Sequence, residues 1–294
     1  NHVVILSGDH IYRMDYAAML QFHLDQEAEL TIACMPVPLA SASSFGVMSV
    51  DDVHQIRAFD EKPEHPKHLP NDPDHALASM GIYIFNMELL SCELQSDYGL
   101  TASNYDFGKD IIPRLIGTRG VYAYRFGEET GRVMQDKYWR DVGTIDSYYM
   151  ANMDLLEPIP SMNLYQPDWV IRTYHSQNPP ARMAPGSLGQ EGHVINSMLS
   201  TGTVVSGGII RHSILFAQVQ VDENAVVEDS ILFEGVQVGA GAHLRRCIVD
   251  KNVQIPPGER IGFNHTADAA RFVISESGIT VIPKDYRFLT NALE

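Results

Sequence analysis

Cysteine, long apolar runs and positive charge are all scarce in this 294-residue sequence. The three cysteines, Cys34, Cys92 and Cys247, lack metal-ligand spacing and lie in apolar segments, which predicts reduced core residues of a cytoplasmic protein. No apolar run approaches the roughly 20 residues needed to cross a bilayer, so a membrane protein is excluded. Lysine and arginine number 21 against 37 acidic residues, and the net charge of −16 opposes nonspecific binding to nucleic acid or anionic lipid.

A glycine-rich phosphate loop is also absent. The only approach to one, Gly239-Ala240-Gly241, lies inside a repeat and follows no sheet strand, so it does not substitute for GxGxxG or a P-loop. The chain opens directly on the apolar run VVIL (3–6), without a signal-peptide pattern. A central strand in first position leaves backbone groups unpaired, so we expect that a segment upstream is missing.

Two domains are predicted from length and pattern. Hydrophobic residues make up 45% and charged residues 20%, as in ordinary globular proteins. Strand and helix patterns alternate up to residue 154, which predicts an α/β domain with a mostly parallel sheet over 1–154. Residues 155–190 are rich in Pro, Gly and polar residues and indicate a linker, followed by a second domain over 191–294. The predicted strands are 3–6, 30–37, 45–50, 56–59 and 79–85, and the predicted helices are 14–27, 110–116 and 144–156.

A short repeat defines the second domain. Ser197, Ser213, Ser230 and Cys247 start similar segments, at spacings of 16, 17 and 17 residues. The position eight residues after each start holds Val or Ile, and the position six after holds Thr or Val. Such a period leaves no room for helices and predicts a parallel β-solenoid with three short sides per coil. A sandwich of short strands is the alternative, but sandwiches seldom keep register and residue type over four turns.

Two aspartates are candidate ligands of a divalent cation. Asp9 follows the first apolar strand, and Asp141 follows an aromatic pair and precedes Gly143. Ligands in open α/β sheets lie beyond strand ends, and Mg²⁺ takes one or two carboxylates, water and phosphate oxygens. The pair therefore predicts a shared magnesium ion. The alternative is that Asp9 or Asp15 caps the helix that follows.

Glu61-Lys62-Pro63 forms a second candidate group, because Pro63 ends the strand and a lysine suits a terminal phosphate. Without other information, an exposed salt-bridged strand end is the commoner explanation. Gly46, like the glycine of Ser79-Met80-Gly81, marks either a bulge or a close approach of ligand to backbone. In another segment, Asp106 and Lys109 are typical of a capped helix start, and we give them no catalytic role.

Eight segments, in order, resemble one family. They are SGDHIYRMDY, CMPVP, SSFGVM, FDEKP, LASMGIYIF, YDFGKDIIP, YWRDVGTIDSYYMANMDL and LRRCIVDKN. These segments are similar to those of the sugar-phosphate nucleotidyltransferases, and within them of the bacterial glucose-1-phosphate adenylyltransferases. The resemblance implies a partial Rossmann-like nucleotidyltransferase domain followed by a left-handed parallel β-helix used for regulation and oligomerisation.

The resemblance also implies a reaction and its residues. ATP and α-D-glucose 1-phosphate would give ADP-glucose and diphosphate, in glycogen or starch synthesis. Asp9 and Asp141 would hold Mg²⁺, and Lys62 would bind the sugar phosphate. The glucose ring would be contacted by Gly46, Glu61, Ser79 and Trp139, although Trp139 is as readily explained as a core aromatic.

Three further expectations follow from the resemblance. Because the glycine-rich loop is missing, we expect the ATP half-site to be absent and this segment alone to be inactive. Anionic effectors such as sugar phosphates or AMP are expected at Arg245, Arg246 and Lys251, a basic cluster whose alternative is a solvated corner. The family assembles as homotetramers, and stacking through solenoid faces is plausible here.

Three other functions compete with this one. The first is an enzyme of the same fold that uses dTTP or GTP. The second is a noncatalytic regulatory subunit, against which the presence of Asp9, Lys62 and Asp141 argues. The third is a solenoid acyltransferase with a histidine base, for which the candidates are His193, His212 and His243. That last reading leaves the first domain unexplained.

Overall fold

The structure is a computed structural model and describes residues 1–127, 137–174 and 176–288. The chain forms two compact units, residues 1–139 and 140–294. We call the first the α/β unit and the second the solenoid unit. The elements of the α/β unit are β1 (His2–Ile5), β2 (His10–Tyr12), α1 (Tyr16–Asp25), β3 (Leu30–Pro38), β4 (Gly46–Val50), β5 (Ile56–Glu61), β6 (His75–Asn86), α2 (Met87–Tyr98), α3 (Ile112–Leu115) and β7 (Val121–Arg125).

The sheet of the α/β unit is built around the long strand β6. The strand order is β5-β4-β6-β3-β7, and β1 also pairs with β6. The pairings of β6 with β1, β3 and β4, and of β4 with β5, are antiparallel, whereas β3 and β7 pair in parallel. The described sheet therefore differs from the mostly parallel one that the sequence predicts.

A short hairpin explains part of this difference. The turn over residues 51–55 joins β4 to β5, and the Asp51 carboxylate accepts hydrogen bonds from the backbone N–H groups of Val53 and Gln55 at 3.1 and 2.9 Å. A connection this short permits only an antiparallel pair, because a parallel pair needs a long crossover. β1 is likewise not buried on both faces, since its residues alternate between exposed and half-buried.

The solenoid unit begins with residues of β8 (Trp139–Asp141) and with α4 (Ile145–Met153). Its coils contain β9 (Arg182–Ala184), β10 (His193–Ile195), β11 (Met198–Leu199), β12 (Val204–Ser206), β13 (Ile209–Arg211), β14 (Ile214–Leu215), β15 (Gln220–Val221), β16 (Val226–Glu228), β17 (Ile231–Leu232), β18 (Gln237–Val238), β19 (His243–Arg245), β20 (Cys247–Val249), β21 (Gln254–Ile255) and β22 (Arg260–Ile261). The chain then forms α5 (His265–Ala269), β23 (Val273–Ile274) and β24 (Thr280–Ile282).

The coils stack as the repeat predicts. Met198 pairs with Ile214, Ile214 with Ile231, and Ile231 with Ile248, each in parallel. A second sheet aligns the positions eight residues after each start, which are Val205, Val221, Val238 and Ile255. The positions six after each start, Thr203, Val219, Val236 and Val253, are fully buried. The predicted parallel solenoid is therefore confirmed.

Left-handed backbone turns mark the corners of each coil. Positive φ recurs at three corners, formed by residues 196, 212, 229 and 246, by residues 202, 218, 235 and 252, and by residues 207, 224, 241 and 258. Gly, Asn and Asp fill most of these positions because they tolerate this conformation better than other residues. Three corners per coil give the three sides that the period indicates.

Helix α4 packs on the solenoid. Tyr149, Met153 and Leu156 contact Ile214, Ile231, Ile248 and Ile279, which come from successive coils. Strand β9, which lies within the predicted linker, pairs with β12 in the same unit. The division into domains 1–154 and 191–294 with a linker between them stays a prediction.

The cysteines differ from one another in burial. Cys34 and Cys247 are buried, and none of the three cysteines forms a disulfide within the described part of the chain, but Cys92 is exposed on α2. The prediction of a core position is therefore wrong for Cys92, because apolar neighbours along a helix do not all lie on its buried side. Among the described residues, no helix has the length and apolar character needed to span a bilayer.

Candidate active site

The loop after β1 presents Asp9. Its carboxylate is largely exposed, and Oδ1 lies 3.8 Å from His10 Nε2. His10 Nδ1 lies 2.9 Å from the Met80 carbonyl oxygen. Because a carbonyl only accepts, Nδ1 carries the proton in the neutral ring, which leaves Nε2 with the lone pair on the side of Asp9.

Gly81 lets this loop lie close to β6. Its φ is +66°, and a Cβ at this position would lie 2.7 Å from Ser7 Oγ and 3.3 Å from His10 Cε1. A side chain would therefore push the loop away from the strand. The sequence suggested that a ligand or a bulge explains Gly81. In the structure, the loop that carries Ser7 and His10 lies against this glycine.

The capping alternative for Asp9 is settled by helix α1. Asp15 occupies the N-cap, and its carboxylate accepts hydrogen bonds from the backbone N–H groups of Ala17 and Ala18 at 3.1 and 3.2 Å. Asp9 lies six residues before Asp15 and outside this cap. Its position is therefore not explained by helix capping.

Trp139 packs as a core aromatic and also contacts the loop that carries Asp9. Its ring makes edge contacts with His10 and Phe45, at centroid distances of 5.1 and 5.2 Å. It also packs against a buried apolar cluster that includes Val47, so it is partly a core aromatic. Its indole nitrogen is buried and has no hydrogen-bond partner among the described residues. Trp139 thus connects the Asp9 loop to the start of β4 within the α/β unit.

Asp141 follows Trp139 by two residues on the same strand, β8, and belongs to the solenoid unit. Its carboxylate is half-buried and accepts a hydrogen bond from the Gly143 N–H at 2.8 Å. Thr144 then caps α4 by accepting from the Ser147 N–H at 3.1 Å. Asp141 is therefore held in a tight turn between a strand and a helix.

Two glycines make space for the Glu61 carboxylate. Glu61 ends β5 and pairs with Gly46 across the sheet. A Cβ on Gly46 would lie 2.8 Å from Glu61 Oε2, and a Cβ on Gly108 would lie only 2.4 Å from the same atom. Sequence reasoning included Gly46 but missed Gly108, for which the only signal was a glycine within YDFGKD. A side chain at either position would displace the Glu61 carboxylate, and at Gly46 it would also meet Phe59 Cζ at 2.4 Å.

The surroundings of Glu61 disfavour its charge. Burial raises the pKa of Glu61, the Asp106 carboxylate raises it further, and the positive charges of Lys62 and Lys109 oppose the shift. Asp106 is also a cap, as predicted, since it accepts from the N–H groups of Gly108 and Lys109 at 2.8 and 3.0 Å. The site therefore brings together two carboxylates and two lysines.

Tyr83 is a second residue that sequence reasoning missed. Burial raises the pKa of Tyr83, the Ser79 hydroxyl lowers it through a hydrogen bond, and Glu61 and Asp106 raise it. These interactions place Ser79 and Tyr83 beside the two carboxylates. Hydroxyls and carboxylates together offer donors and acceptors for a polyhydroxyl compound.

Lys62 follows Glu61 in an unusual backbone conformation. Its φ is +48° although Pro63 follows it, and its N–H donates to the Phe45 carbonyl at 3.1 Å. Non-glycine residues with positive φ are uncommon, and such conformations concentrate at functional sites. The side chain is exposed, which agrees better with a phosphate-binding lysine than with a packed strand end.

Comparison with known proteins gives the family. Residues 1–158 match the nucleotidyl transferase family, and residues 179–282 match the GlmU-like, C-terminal hexapeptide family. Glucose-1-phosphate adenylyltransferase 2 of Vibrio cholerae is 56% identical over 289 residues, covering 98% of this chain and 71% of the relative. The corresponding protein of Vibrio vulnificus strain YJ016 is 59% identical over 287 residues, with the same coverage. Glucose-1-phosphate adenylyltransferase of Shewanella sp. strain MR-4 is 45% identical, covering 97% of this chain and 68% of the relative.

This chain belongs to the glucose-1-phosphate adenylyltransferase family. The assignment confirms the predicted family and the predicted order of a nucleotidyltransferase domain and a β-helix. The hexapeptide match also fits the left-handed form of that helix. The alternatives outside the nucleotidyltransferases lose their support, because the family match includes the α/β unit.

The predicted effector residues of this adenylyltransferase homologue lie at two corners of the solenoid. Arg245 ends β19 and is exposed, and Arg246 occupies the following corner with φ of +49°. Arg246 Nη2 donates to the Ser277 carbonyl at 3.0 Å. Lys251 lies beyond β20, beside the next corner at Asn252, so the three residues do not share one corner.

The solenoid histidines lie on separate coils. His193 starts β10 and is exposed, whereas His212 occupies a corner with Nδ1 2.8 Å from Asp229 Oδ1. The ring of His243 makes an edge contact with Phe263 at 6.4 Å. Their contacts are those of surface residues on a prism, and no role in catalysis is assigned to them.

Proposed function

We propose that this chain is a glucose-1-phosphate adenylyltransferase that uses ATP and α-D-glucose 1-phosphate to form ADP-glucose and diphosphate. One observation carries the proposal: the Glu61 carboxylate, enclosed by Gly46 and Gly108, lies beside Lys62. This arrangement offers acceptors for sugar hydroxyls and a cation for a phosphate in adjacent positions. The relatives are adenylyltransferases by name, which supports ATP over dTTP or GTP.

The sugar is assigned to the polar cluster around β5 and β6. Glu61 would accept hydrogen bonds from ring hydroxyls, with Asp106 and Tyr83 as further partners. Ser79 is proposed to face the ring, and its hydroxyl already lies 3.2 Å from the Gly81 N–H that donates to it. Gly46 contributes by making room for Glu61, and Trp139 would close the side of the pocket toward His10.

Lys62 is assigned to the phosphate of glucose 1-phosphate. Two unit charges of like sign about 4 Å apart repel by about 4 kcal/mol at an effective dielectric near 20, so two phosphate groups need cations between them. An exposed lysine on a rigid turn supplies a compact charge at a fixed place. Lys109, whose charge acts on Glu61, lies in the same region.

Asp9 and Asp141 are proposed to hold Mg²⁺. Both offer carboxylate oxygens, the ligands that Mg²⁺ prefers, and His10 offers Nε2 as a nitrogen donor beside Asp9. Chain connectivity supports their meeting, because His10 contacts Trp139, Asp9 precedes His10, and Asp141 is two residues beyond Trp139. The bound ion would neutralise phosphate charge between the two substrates.

The reaction itself needs positioning more than proton transfer. A phosphate oxygen of glucose 1-phosphate attacks the α-phosphorus of ATP in line, and a new oxygen–phosphorus bond forms. The bond between that phosphorus and the oxygen bridging to the β-phosphorus breaks, and diphosphate leaves with the electron pair. Lys62 fixes the nucleophile, and Glu61 fixes the sugar that carries it.

The direct test is release of diphosphate from ATP, Mg²⁺ and glucose 1-phosphate. We expect turnover from the complete product of the gene, and none from the 294 residues alone, which contain no glycine-rich loop. Calorimetry on the 294-residue chain is expected to detect glucose 1-phosphate binding that Glu61→Gln weakens. Absence of both turnover and binding would remove the proposal.

We also propose an effector site, an oligomeric state and a location for this protein. Arg245, Arg246 and Lys251 are candidates for anionic effectors, and a homotetramer and a cytoplasmic location are proposed for the assembled protein. Arg246 is already engaged with Ser277, so an effector would have to compete for its guanidinium. Activation of the complete enzyme that is unchanged in Arg246→Ala would remove this residue from the effector site.

A further inference from the structure

Asp146 ties the start of α4 to the far end of the solenoid. Its carboxylate accepts hydrogen bonds from the hydroxyls of Ser275 and Ser277, the latter at 2.6 Å, and from the Ser277 N–H at 3.3 Å. Arg246 Nη2 donates to the carbonyl of the same Ser277 at 3.0 Å. Three hydrogen bonds therefore fix the first turn of α4 to the loop 275–277, and the fourth fixes that loop to Arg246.

The rest of α4 is fixed as well. Tyr149 OH donates to the Asp229 carbonyl at 2.6 Å, at a corner of the solenoid. Tyr148 stacks on Phe233, which stacks on Phe216 from the preceding coil, at centroid distances of 6.3 and 4.9 Å. A helix held by both polar and apolar contacts along its length cannot shift without breaking several of them.

Asp141 lies only five residues before Asp146, and hydrogen bonds span the turn between them. Gly143 donates to the Asp141 carboxylate, and Thr144 caps the helix on which Asp146 lies. On the other side, Arg140 donates to Asp154 at 2.5 Å, beyond the end of α4. The residues on both sides of Asp141 are thus attached to α4.

We infer that Asp146 is a positioning residue for Asp141, so that the solenoid determines where the candidate metal-binding carboxylate points. This inference rests on the proposed function, because it treats Asp141 as a magnesium ligand. Residues that orient a metal ligand without touching the metal commonly affect metal affinity about 10- to 100-fold when they are replaced.

The test measures binding of Mn²⁺, added alone as a substitute for Mg²⁺, by electron paramagnetic resonance of the free ion. Asp146→Asn changes the carboxylate that accepts these hydrogen bonds. The double variant Ser275→Ala/Ser277→Ala removes the two hydroxyls that donate to it. Both are expected to weaken Mn²⁺ binding by about 10-fold. In the complete enzyme both are expected to lower kcat and to leave the KM for glucose 1-phosphate unchanged, because Glu61 and Lys62 lie in the α/β unit. Asp146→Glu is expected to restore part of the affinity.

A matched control comes from the same solenoid. The Glu223 carboxylate accepts from the Ser187 hydroxyl at 2.6 Å and from the Ser187 N–H at 2.8 Å, and neither of these two bonds involves α4 or the turn that precedes it. Glu223→Gln is expected to bind Mn²⁺ like the unmodified protein. Thermal melting of each variant separates a general loss of folding from a local change at the metal site.

The outcomes separate the two claims. If Mn²⁺ binds and Asp141→Asn abolishes binding, the metal site stands, and unchanged affinity in Asp146→Asn then overturns only the positioning role. Equal losses of Mn²⁺ affinity in Asp146→Asn and Glu223→Gln also overturn the positioning role, because the hydrogen bonds of Asp146 would then act only through the stability of the solenoid. If the unmodified protein binds no Mn²⁺, the metal assignment and the positioning role fall together.

Discussion

The α/β unit and the solenoid unit use left-handed backbone turns for different purposes. In the solenoid, positive φ recurs at equivalent corner positions of successive coils and sets the shape of the prism. In the α/β unit, positive φ occurs at residues without a fixed spacing, and two of them, Lys62 and Gly81, lie beside Glu61 and against the loop that carries Asp9. Regular repetition builds the solenoid, whereas single irregular positions build the candidate site.

The largest effect is expected for Asp9→Asn in the complete enzyme. Loss of one preorganised charge at the reacting phosphates is expected to lower kcat by about 100- to 1,000-fold, measured by diphosphate release. The control is Asp15→Asn, six residues later, which removes a charge and keeps an oxygen that can cap α1. Comparable kcat values in the two variants would show that the irregular loop after β1 has no special role.

A smaller effect is expected for Lys62→Ala. A charge-assisted hydrogen bond contributes about 1.5–3 kcal/mol, so the dissociation constant of glucose 1-phosphate should rise about 10- to 100-fold, measured by calorimetry. Lys67→Ala is the control, because Lys67 is exposed and lies 3.6 Å from Asp60. Equal losses from the two lysines would indicate a diffuse charge effect in place of a phosphate site.

In the solenoid, Val236→Ala is expected to act on stability alone. Val236 is fully buried, and removal of about two methylene equivalents should lower the free energy of unfolding by about 1–2 kcal/mol. Gln237 follows it on the exposed face, and Gln237→Ala should change little. Chemical denaturation measures both, and a large change in glucose 1-phosphate affinity from Val236→Ala would contradict the separation of roles.

The smallest effect is expected for the pH dependence of the melting temperature. Hydrogen bonds from Ser275 and Ser277 hold the pKa of Asp146 below its usual range. At pH values above the pKa of an unfolded aspartate, about 3.9, the lowered pKa of Asp146 stabilises the folded protein. This stabilisation is lost as the pH falls through the pKa of Asp146 in the folded protein. The difference in melting temperature between the unmodified protein and Asp146→Asn should therefore shrink below about pH 4. A constant difference down to pH 2 would contradict the assigned bonds.

The solenoid was predictable because its pairing is local. From β10 to β22, each strand pairs with the one that lies 16 or 17 residues away, so Ser213 and Ser230 reveal the register directly. The α/β sheet pairs strands that are distant in sequence, and the apolar pattern of VVIL indicates a strand without giving its direction. The sequence therefore predicted the strands of this sheet better than their pairing.

The sequence predicted the part of the candidate site that local patterns reveal. Asp9, Glu61 and Lys62 stand at strand ends, where position in sequence indicates exposure to ligand. The enclosure of Glu61 by Gly108 and the proximity of Tyr83 depend on packing between remote segments, which no local pattern encodes. Likewise, both Asp9 and Asp15 suit a helix cap, and only the backbone geometry shows that Asp15 fills it.

The proposed roles of Asp9, Asp141 and Lys62 require that all three residues serve one reaction centre. The most direct measurement is phosphorus NMR relaxation of glucose 1-phosphate bound to the protein in the presence of Mn²⁺. We expect strong broadening of the phosphorus signal that Asp9→Asn and Asp141→Asn each remove while the sugar phosphate stays bound. A phosphorus signal unaffected by Mn²⁺ at full occupancy of both ligands would contradict the account.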